Sequence, residues 1–327
     1  MITIWMPVHN EEKHISSAIE SVLGQSYSNF QLIISNNFST DSSAEIIDRY
    51  SKKDSRIVKV SPKQFYSSTA HAEFLLSSIL PLYSNKYSII IGAHDIWDPL
   101  YLQILFQKAE QNPDASIIYG QGFDLSYDNN HIFGKFDDHI VCAEILKPFI
   151  PHVVLLSLRV NTVMYGLMLE NKRRKFELRH FCSGWDHLMV AEMALLGKIL
   201  FEPSAKFYLR RSRDHGVMSA YKERHLNHED KSIEDFMRQL EWACYLVDKS
   251  TCDYGLSFFE QPQIKNMLKI SLIYGYVTRY ITNLNFFGPT EIQKFLCDKN
   301  LFPLYEANLA TSNFIDQLIA DTLGGKT

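Results

Sequence analysis

Apolar positions in the first 120 residues alternate between a strand rhythm and a helix rhythm. Met1-Ile-Thr-Ile-Trp-Met6 is a short apolar run of strand character. After Pro7-Val-His-Asn10, the apolar residues Ile15, Ala18, Ile19, Val22 and Leu23 fall at i, i+3, i+4, i+7 and i+8. That spacing predicts an amphipathic helix, with Asn10 as its N-cap and Gly24 as its stop. Gln31–Ile34 is a second strand ending in the polar run Ser35 to Asp41, and Ser42 with Glu45 has capping-box spacing ahead of Ile46, Ile47 and Tyr50. The same alternation continues with a strand at Ile57–Val60, a helix at Thr69–Leu82, a strand at Tyr87–Ile91, a helix at Pro99–Gln111 and a strand at Ser116–Tyr119. This order predicts an α/β fold, a Rossmann-like and mostly parallel sheet with helices on both faces.

From Gly120 to about Leu158 the periodicity fades, and the segment is expected to be a long irregular excursion in which Asp137-Asp138 is a solvated pair. Helical spacing returns at Trp185–Leu196 and stops at Gly197, and strands are expected at Lys198–Phe201 and Lys206–Leu209. Beyond Tyr221 the pattern is helical, with Ile233, Phe236, Met237, Leu240 and Val247 on one face and similar stretches at Met267–Ile281 and Phe314–Leu323. Residues 1–220 therefore form the main domain, and 221–327 an all-helical C-terminal appendage. Its apolar faces would pack on the main domain, make a homodimer contact or shape an acceptor groove.

Composition changes the picture mainly by exclusion. A hydrophobic content of 46% with 21% charged residues is ordinary for a globular chain, and a formal charge of −4 argues against nucleic acid as a partner. Cys142, Cys182, Cys244, Cys252 and Cys297 show no Cys-x-x-Cys spacing, so free thiols rather than a disulfide framework or zinc site are expected. The first strand leaves no room for a signal peptide, and the apolar stretch from Val153 to Leu169 is broken by Arg159 and Asn161. A cytoplasmic protein is the expectation. The basic run Lys172-Arg-Arg-Lys175 reads either as a solvated helix end or as a contact for the inner face of a membrane.

Candidate chemistry concentrates where strands end. Tyr87–Ile91 runs into Gly92-Ala-His-Asp95, which delivers a carboxylate to the carboxyl end of a buried strand, where open α/β sheets bind ligands. Taken alone, Asp95 reads equally as the cap of the following turn. Asp186, near the start of the helix Trp185–Leu196, would be kept ionised by the helix dipole, as a base or as a simple cap.

Taken together, PVHNEE (Pro7 to Glu12), SNNFSTD (Ser35 to Asp41) and GAHDIWDP (Gly92 to Pro99) resemble the family 2 glycosyltransferases. The GT-A domain of that family carries Pro-x-Tyr-Asn, Asp-Asp-x-Ser-Thr-Asp and Asp-x-Asp motifs in this order. The likeness is to a bacterial subgroup whose third motif reads Ala-His-Asp-Asp, then Leu-Trp and Pro-x-Tyr-Leu. It extends through GWDHLMVAEMALLGK (Gly184 to Lys198) and RRSRDHG (Arg210 to Gly216), and covers residues 1 to about 218. The resemblance implies a nucleotide-sugar donor held by Pro7, His9, Asn10, Glu11, Asn36, Asn37, Ser39, Asp41, Ala93, His94 and Arg211, mainly in residues 1–120. It implies Mg²⁺ or Mn²⁺ on Asp95 and His215, and Asp186 as the base that activates a glycan or lipid-linked acceptor in residues 121–220, with inversion at the anomeric carbon. The pathway implied is bacterial surface polysaccharide or lipopolysaccharide synthesis.

Several positions depart from the family pattern. Ala93 and Ile96 replace acidic residues, which leaves Asp95 as the one carboxylate of the metal motif, with Arg210, Arg211 and Arg213 available to share the diphosphate charge. Asn36 replaces a base-reading Asp and, as an amide, both donates and accepts. His9 replaces Tyr, Phe38 packs or covers the pocket, and the Asn-x-Gly expected near Ser67–Glu73 is missing. A catalytically weakened GT-A protein that only binds nucleotide sugar is the alternative reading of these departures.

Overall fold

The computed structural model describes residues 1–83, 85–128, 130–135, 162–175 and 185–211. Its strands are β1 (Ile2–Val8), β2 (Phe30–Asn36), β3 (Ile57–Val60), β4 (Tyr87–Ile90), β5 (Ile96–Trp97), β6 (Ala115–Ser126), β7 (Ile132–Lys135), β8 (Leu167–Leu169) and β9 (Lys198–Arg211). The principal helices are α1 (Ile15–Leu23), α2 (Ser43–Ser51), α3 (Ser68–Phe74), α4 (Tyr101–Gln111) and α5 (Trp185–Leu196). Among the described residues the strands form one sheet in the order β3-β2-β1-β4-β8-β6-β9-β5, with β7 added on β6.

The N-terminal half, β3-β2-β1-β4, is parallel throughout. It matches the alternating pattern because each crossover carries an amphipathic helix that covers the sheet. Ile2, Ile4, Met6 and Val8 share one core with Ile15, Ala18, Ile19 and Val22 of α1 and with Tyr101, Leu102, Leu105 and Ala109 of α4. Trp5 and Ile33, fully buried but outside that cluster, lie on the opposite face by strand alternation. The register Val8↔Asn36 brings the ends of β1 and β2 level. The loops after β1, β2 and β4 consequently leave the same edge of the sheet.

Beyond β4 the sheet is mixed: β8 pairs antiparallel with both β4 and β6, while β6 and β9 run parallel. Here the chain departs from its periodicity. Of the stretch 120–158 expected to be irregular, the described part prolongs β6 to Ser126 with β7 pairing back against it, and residues 136–158 lie outside the described residues. The two short strands expected at 198–209 are one strand, β9, with a register shift that carries the pairing from Gly120↔Glu202 to Gln121↔Lys206. Pro203 and Ser204 sit at this irregularity and mask the continuity. Gly120 is required there, because a Cβ would lie 2.3 Å from the Ala205 carbonyl oxygen.

Local capping differs from expectation as well. Asn10 does not cap α1: it lies four residues before the N-cap, His14, at φ 54°. Gly24 does close that helix. Ser42 is the N-cap of α2 without a side-chain bond, and Asp41 Oδ1 accepts the Ser43 N–H instead at 2.9 Å. The helix expected over 69–82 begins as α3, widens to a π-helix at Leu75–Ile79 and tightens to a 3₁₀ turn at Leu80–Leu82.

The basic run is partly structural and partly solvated, with Arg174 and Lys175 exposed. Arg173 is buried in an ion pair with Glu170, which also accepts from Ser88 Oγ, while Lys172 Nζ donates to the Asp114 carbonyl. No helix among the described residues is long and apolar enough to cross a membrane. The predicted helical region 221–327, Asp137-Asp138 and all five cysteines lie outside the described residues.

His71 on α3 is 4% exposed, with Nε2 2.7 Å from Ser35 Oγ. Burial holds its pKa down at about 4 against 6.5 for the free side chain. The neutral ring is therefore favoured in the fold, and its contribution is complete above pH 6.5 and lost as pH falls towards 4. Wild-type stability should drop across this window by up to about 3 kcal/mol from this residue. His71→Gln should flatten the slope, as read by denaturant titrations at pH 7 and pH 4.5; an unchanged slope would contradict the assignment.

Candidate active site

Three loops meet at the carboxyl edge of the parallel strands, and hydrogen bonds join them in pairs. The first two are laced together: Asn10 N–H donates to Ser39 Oγ (3.0 Å), Thr40 N–H to Asn10 Oδ1 (2.8 Å), Glu11 N–H to Ser43 Oγ (2.8 Å), Glu12 N–H to Asp41 Oδ2 (2.9 Å) and Ser42 N–H to Glu12 Oε2 (3.0 Å). Asn36 Oδ1 closes the β2 turn by accepting from Ser39 N–H at 3.2 Å. Asn10, Asn36, Ser39 and Asp41 thus use side-chain atoms to shape the rim. The carboxyl of Asp41 is held below its usual range by its hydrogen bonds, which outweigh the opposing and largest single influence, burial.

The third loop carries Asp95. Its N–H donates to the Gly92 carbonyl at 3.0 Å, a tight turn that folds the carboxylate back over Gly92. A Cβ at Gly92 would lie 2.4 Å from Asp95 Oδ2, so glycine lets the carboxylate fold back this closely. His94 reaches the first loop, with Nδ1 2.9 Å from Glu11 Oε1, and because a carboxylate only accepts, Nδ1 carries the proton.

Asp95 is 2% exposed. Its Oδ1 accepts the main-chain N–H of Arg210 at 2.9 Å, whereas Oδ2 is buried with no hydrogen-bond partner. Burial pushes its pKa up, and His94 is the foremost opposing influence. A buried carboxylate oxygen without a partner is costly, and a hard cation satisfies one well. Among the described residues there is no group of three or more His, Cys, Asp or Glu side chains arranged to hold a metal. The donor set therefore fits a cation held by the single Asp95 carboxylate and completed by oxygens from ligand or water.

Arg210 does not face a ligand as a free cation. It is 5% exposed; Nε donates to the His94 carbonyl (2.9 Å) and Nη1 to the Ser126 carbonyl (3.1 Å) and Asn130 Oδ1 (2.5 Å). Arg211 Nε lies 3.4 Å from Asp124 Oδ1. His14 packs edge-on against Tyr127 at 4.3 Å, and its pKa falls to about 4 through burial and then through the Arg210 charge.

Asp186 lies in the first turn of α5 and is half-buried. The Tyr165 hydroxyl pKa is raised chiefly by burial and further by the charges of Asp95 and Asp186. No spacing in the chain signals Tyr165 or Tyr127, which the segment before β8 and the turn after β6 supply through long-range pairing, while His14 comes from the end of the loop before α1. Pro7 is half-buried at the end of β1 and Ala93 is buried, so they shape the floor without offering a polar group. His215 and Arg213 lie outside the described residues.

Residues 3–167, about half of the chain, match the model of glycosyl transferase family 2. The chain belongs to this family. It is 25% identical to the glycosyltransferase GlyG of Streptococcus pneumoniae over 44% of its length and 46% of that protein's. It is 30% identical to the UDP-Glc:alpha-D-GlcNAc-diphosphoundecaprenol beta-1,3-glucosyltransferase WfgD of Escherichia coli over 42% of its length and 50% of that protein's. The matched region thus spans no more than half of these curated relatives. Among solved structures, S. aureus TarS 1-349 in complex with UDP superposes with a TM-score of 0.59 at 12% identity, covering 90% of this chain and 78% of that one, a likeness of fold. The GT-A architecture expected of a family 2 member is therefore the one adopted.

Asp95→Asn tests the electrostatics of this glycosyltransferase site. The amide keeps an oxygen for the Arg210 N–H and removes a buried charge, so in chelator-containing buffer at pH 7.5 the variant should be as stable as wild type or more stable by on the order of 1 kcal/mol. A folded-state pKa above the unfolded one gives stability present at low pH and lost as pH rises through it, so the gain should shrink at acid pH. A lower melting temperature for the variant at pH 7.5 would contradict this account.

Proposed function

We propose that this family 2 glycosyltransferase moves a sugar from a nucleotide-sugar donor to a glycan or lipid-linked acceptor, with inversion, in the assembly of a bacterial surface polysaccharide or lipopolysaccharide. The carrying observation is the buried Asp95 carboxylate at the carboxyl edge of a parallel sheet, with one oxygen unpartnered and loops on either side. WfgD, a UDP-Glc-dependent glucosyltransferase by name, and TarS in complex with UDP support a nucleotide-sugar donor.

On this reading residues 1–120 hold the donor and 121–220 the acceptor, at the cytoplasmic side of a membrane that carries a lipid-linked acceptor. His9, Asn36 and Asn37 border the base, while Glu11, His94 and Asp95 border the diphosphate. Mg²⁺ or Mn²⁺ on Asp95 would stabilise the charge that develops on the departing diphosphate. Arg210 acts by holding the turn at residues 94–95, and Arg211 is the more exposed counter-charge. Asp186 takes the proton of the acceptor hydroxyl as its oxygen attacks the anomeric carbon from the face opposite the nucleotide.

Two outcomes check this. Asp186→Asn should bind donor as wild type does and lose transfer by about a hundredfold or more, the scale of a missing general base. Transfer at the wild-type rate would remove the assignment. Excess EDTA should suppress transfer, and added Mn²⁺ or Mg²⁺ should restore it; full activity in EDTA would exclude an obligatory metal.

A further inference from the structure

Ala93 stands where the family's metal motif has its first carboxylate, and it is buried without a polar group to offer. The next residue brings a different donor. His94 Nδ1 lies 2.9 Å from Glu11 Oε1 and carries the proton, because the carboxylate accepts. In the neutral ring the lone pair is then on Nε2. Glu11 is buried, and its main-chain N–H donates to Ser43 Oγ at 2.8 Å, so the carboxylate that orients the ring is itself held where the first two loops meet.

Nε2 lies 3.8 Å from Asp95 Oδ1, beyond a hydrogen bond. Two ligands of one octahedral cation stand about 3 Å apart when adjacent and about 4 Å apart when opposite, so the separation is within reach of a shared ion. The space left at Gly92 is bordered by both residues: a Cβ there would lie 2.4 Å from Asp95 Oδ2 and 3.6 Å from His94 Nε2. Asp95 is almost wholly buried and its Oδ2 has no hydrogen-bond partner, whereas the His94 side chain is 21% exposed. An orphaned oxygen and an imidazole nitrogen thus meet at one small space, buried at the carboxylate and open at the ring.

A tether between the first and third loops needs only Nδ1. A histidine that ligates a metal through one ring nitrogen characteristically donates the other N–H to a carboxylate, which fixes the tautomer, turns the ring and raises its basicity. Glu11 and His94 stand in that relation, and Asp95 is the neighbouring oxygen donor.

We propose that His94 Nε2 is a second protein ligand of the cation on Asp95, with Glu11 as the positioning residue that presents it. This rests on the divalent cation proposed above and deepens it, because a nitrogen among oxygen ligands moves the preference of the site from Mg²⁺ towards first-row transition ions such as Mn²⁺ and Co²⁺. The imidazole takes over, one position along the chain, the part that Ala93 cannot play.

Metal binding by the full chain at pH 7.5, with the metal alone, tests it. Calorimetric titration should give Co²⁺ a dissociation constant about tenfold or more below that of Mg²⁺. His94→Gln and Glu11→Gln should each weaken Co²⁺ by about tenfold or more and leave Mg²⁺ little changed. Electron spin echo spectra of the Mn²⁺-loaded wild type should carry the modulation of a directly bound imidazole nitrogen, and His94→Gln should lose it. Modulation that is absent from wild type or persists in His94→Gln, or a Co²⁺ preference that survives this substitution, would overturn the His94 assignment and leave the Asp95 cation standing. Co²⁺ binding unchanged in Glu11→Gln would remove Glu11 from the arrangement. Binding of none of the three ions by wild type would overturn both the nitrogen ligand and the cation.

Discussion

The hydrogen bond from the Arg210 main-chain N–H to Asp95 Oδ1 joins the two halves of this molecule at the point where chemistry is expected. Asp95 ends the parallel half, while Arg210 belongs to β9, a strand of fourteen residues that reaches the same edge along β6. Without that bond the carboxylate would have both oxygens buried and unmatched. With it, one oxygen is fixed and the other is left for a ligand. The Arg210 side chain reinforces the arrangement by clasping the His94 carbonyl and the β6–β7 turn, which makes it a positioning residue rather than a counter-charge.

The remaining rim follows the same economy, in which few groups stay uncommitted. Asn10, Asn37, Ser39 and Asp41 are engaged within and between loops, so their role is to hold a shape. At this edge the Asp95 Oδ2 oxygen stays orphaned, while Arg211 is paired with Asp124.

How legible this was in the chain depends on the range of the interactions involved. The parallel half could be read closely, since helix periodicity and buried β-branched runs are local signals, and Ile15 to Leu23 and Tyr101 to Gln111 fall where spacing put them. β6, β7 and β9 were cut short because Gly120, Pro203 and Ser204 interrupt the local pattern, while pairing over about eighty residues holds the strands together. The site was legible as motifs, with Asp95 placed at a strand end as expected. Its inner connections were not: nothing in the spacing of His94 and Glu11, or of Arg210 and Asn130, announces that these side chains touch. The run Lys172 to Lys175 was legible in part: Arg174 and Lys175 are exposed as its charge suggests, whereas Arg173 is buried in its pair with Glu170.

The central claim is that Asp95 is the functional carboxylate of a nucleotide-sugar transferase despite its reduced motif. The most direct measurement is release of nucleoside phosphate by the purified full chain from a panel of UDP-, GDP-, dTDP- and CMP-sugars with Mn²⁺, for wild type and for Asp95→Ala. The account predicts release from at least one donor by wild type and its loss in the variant. Measurable binding of donors with no release from any of them, or equal release by the variant, would contradict it.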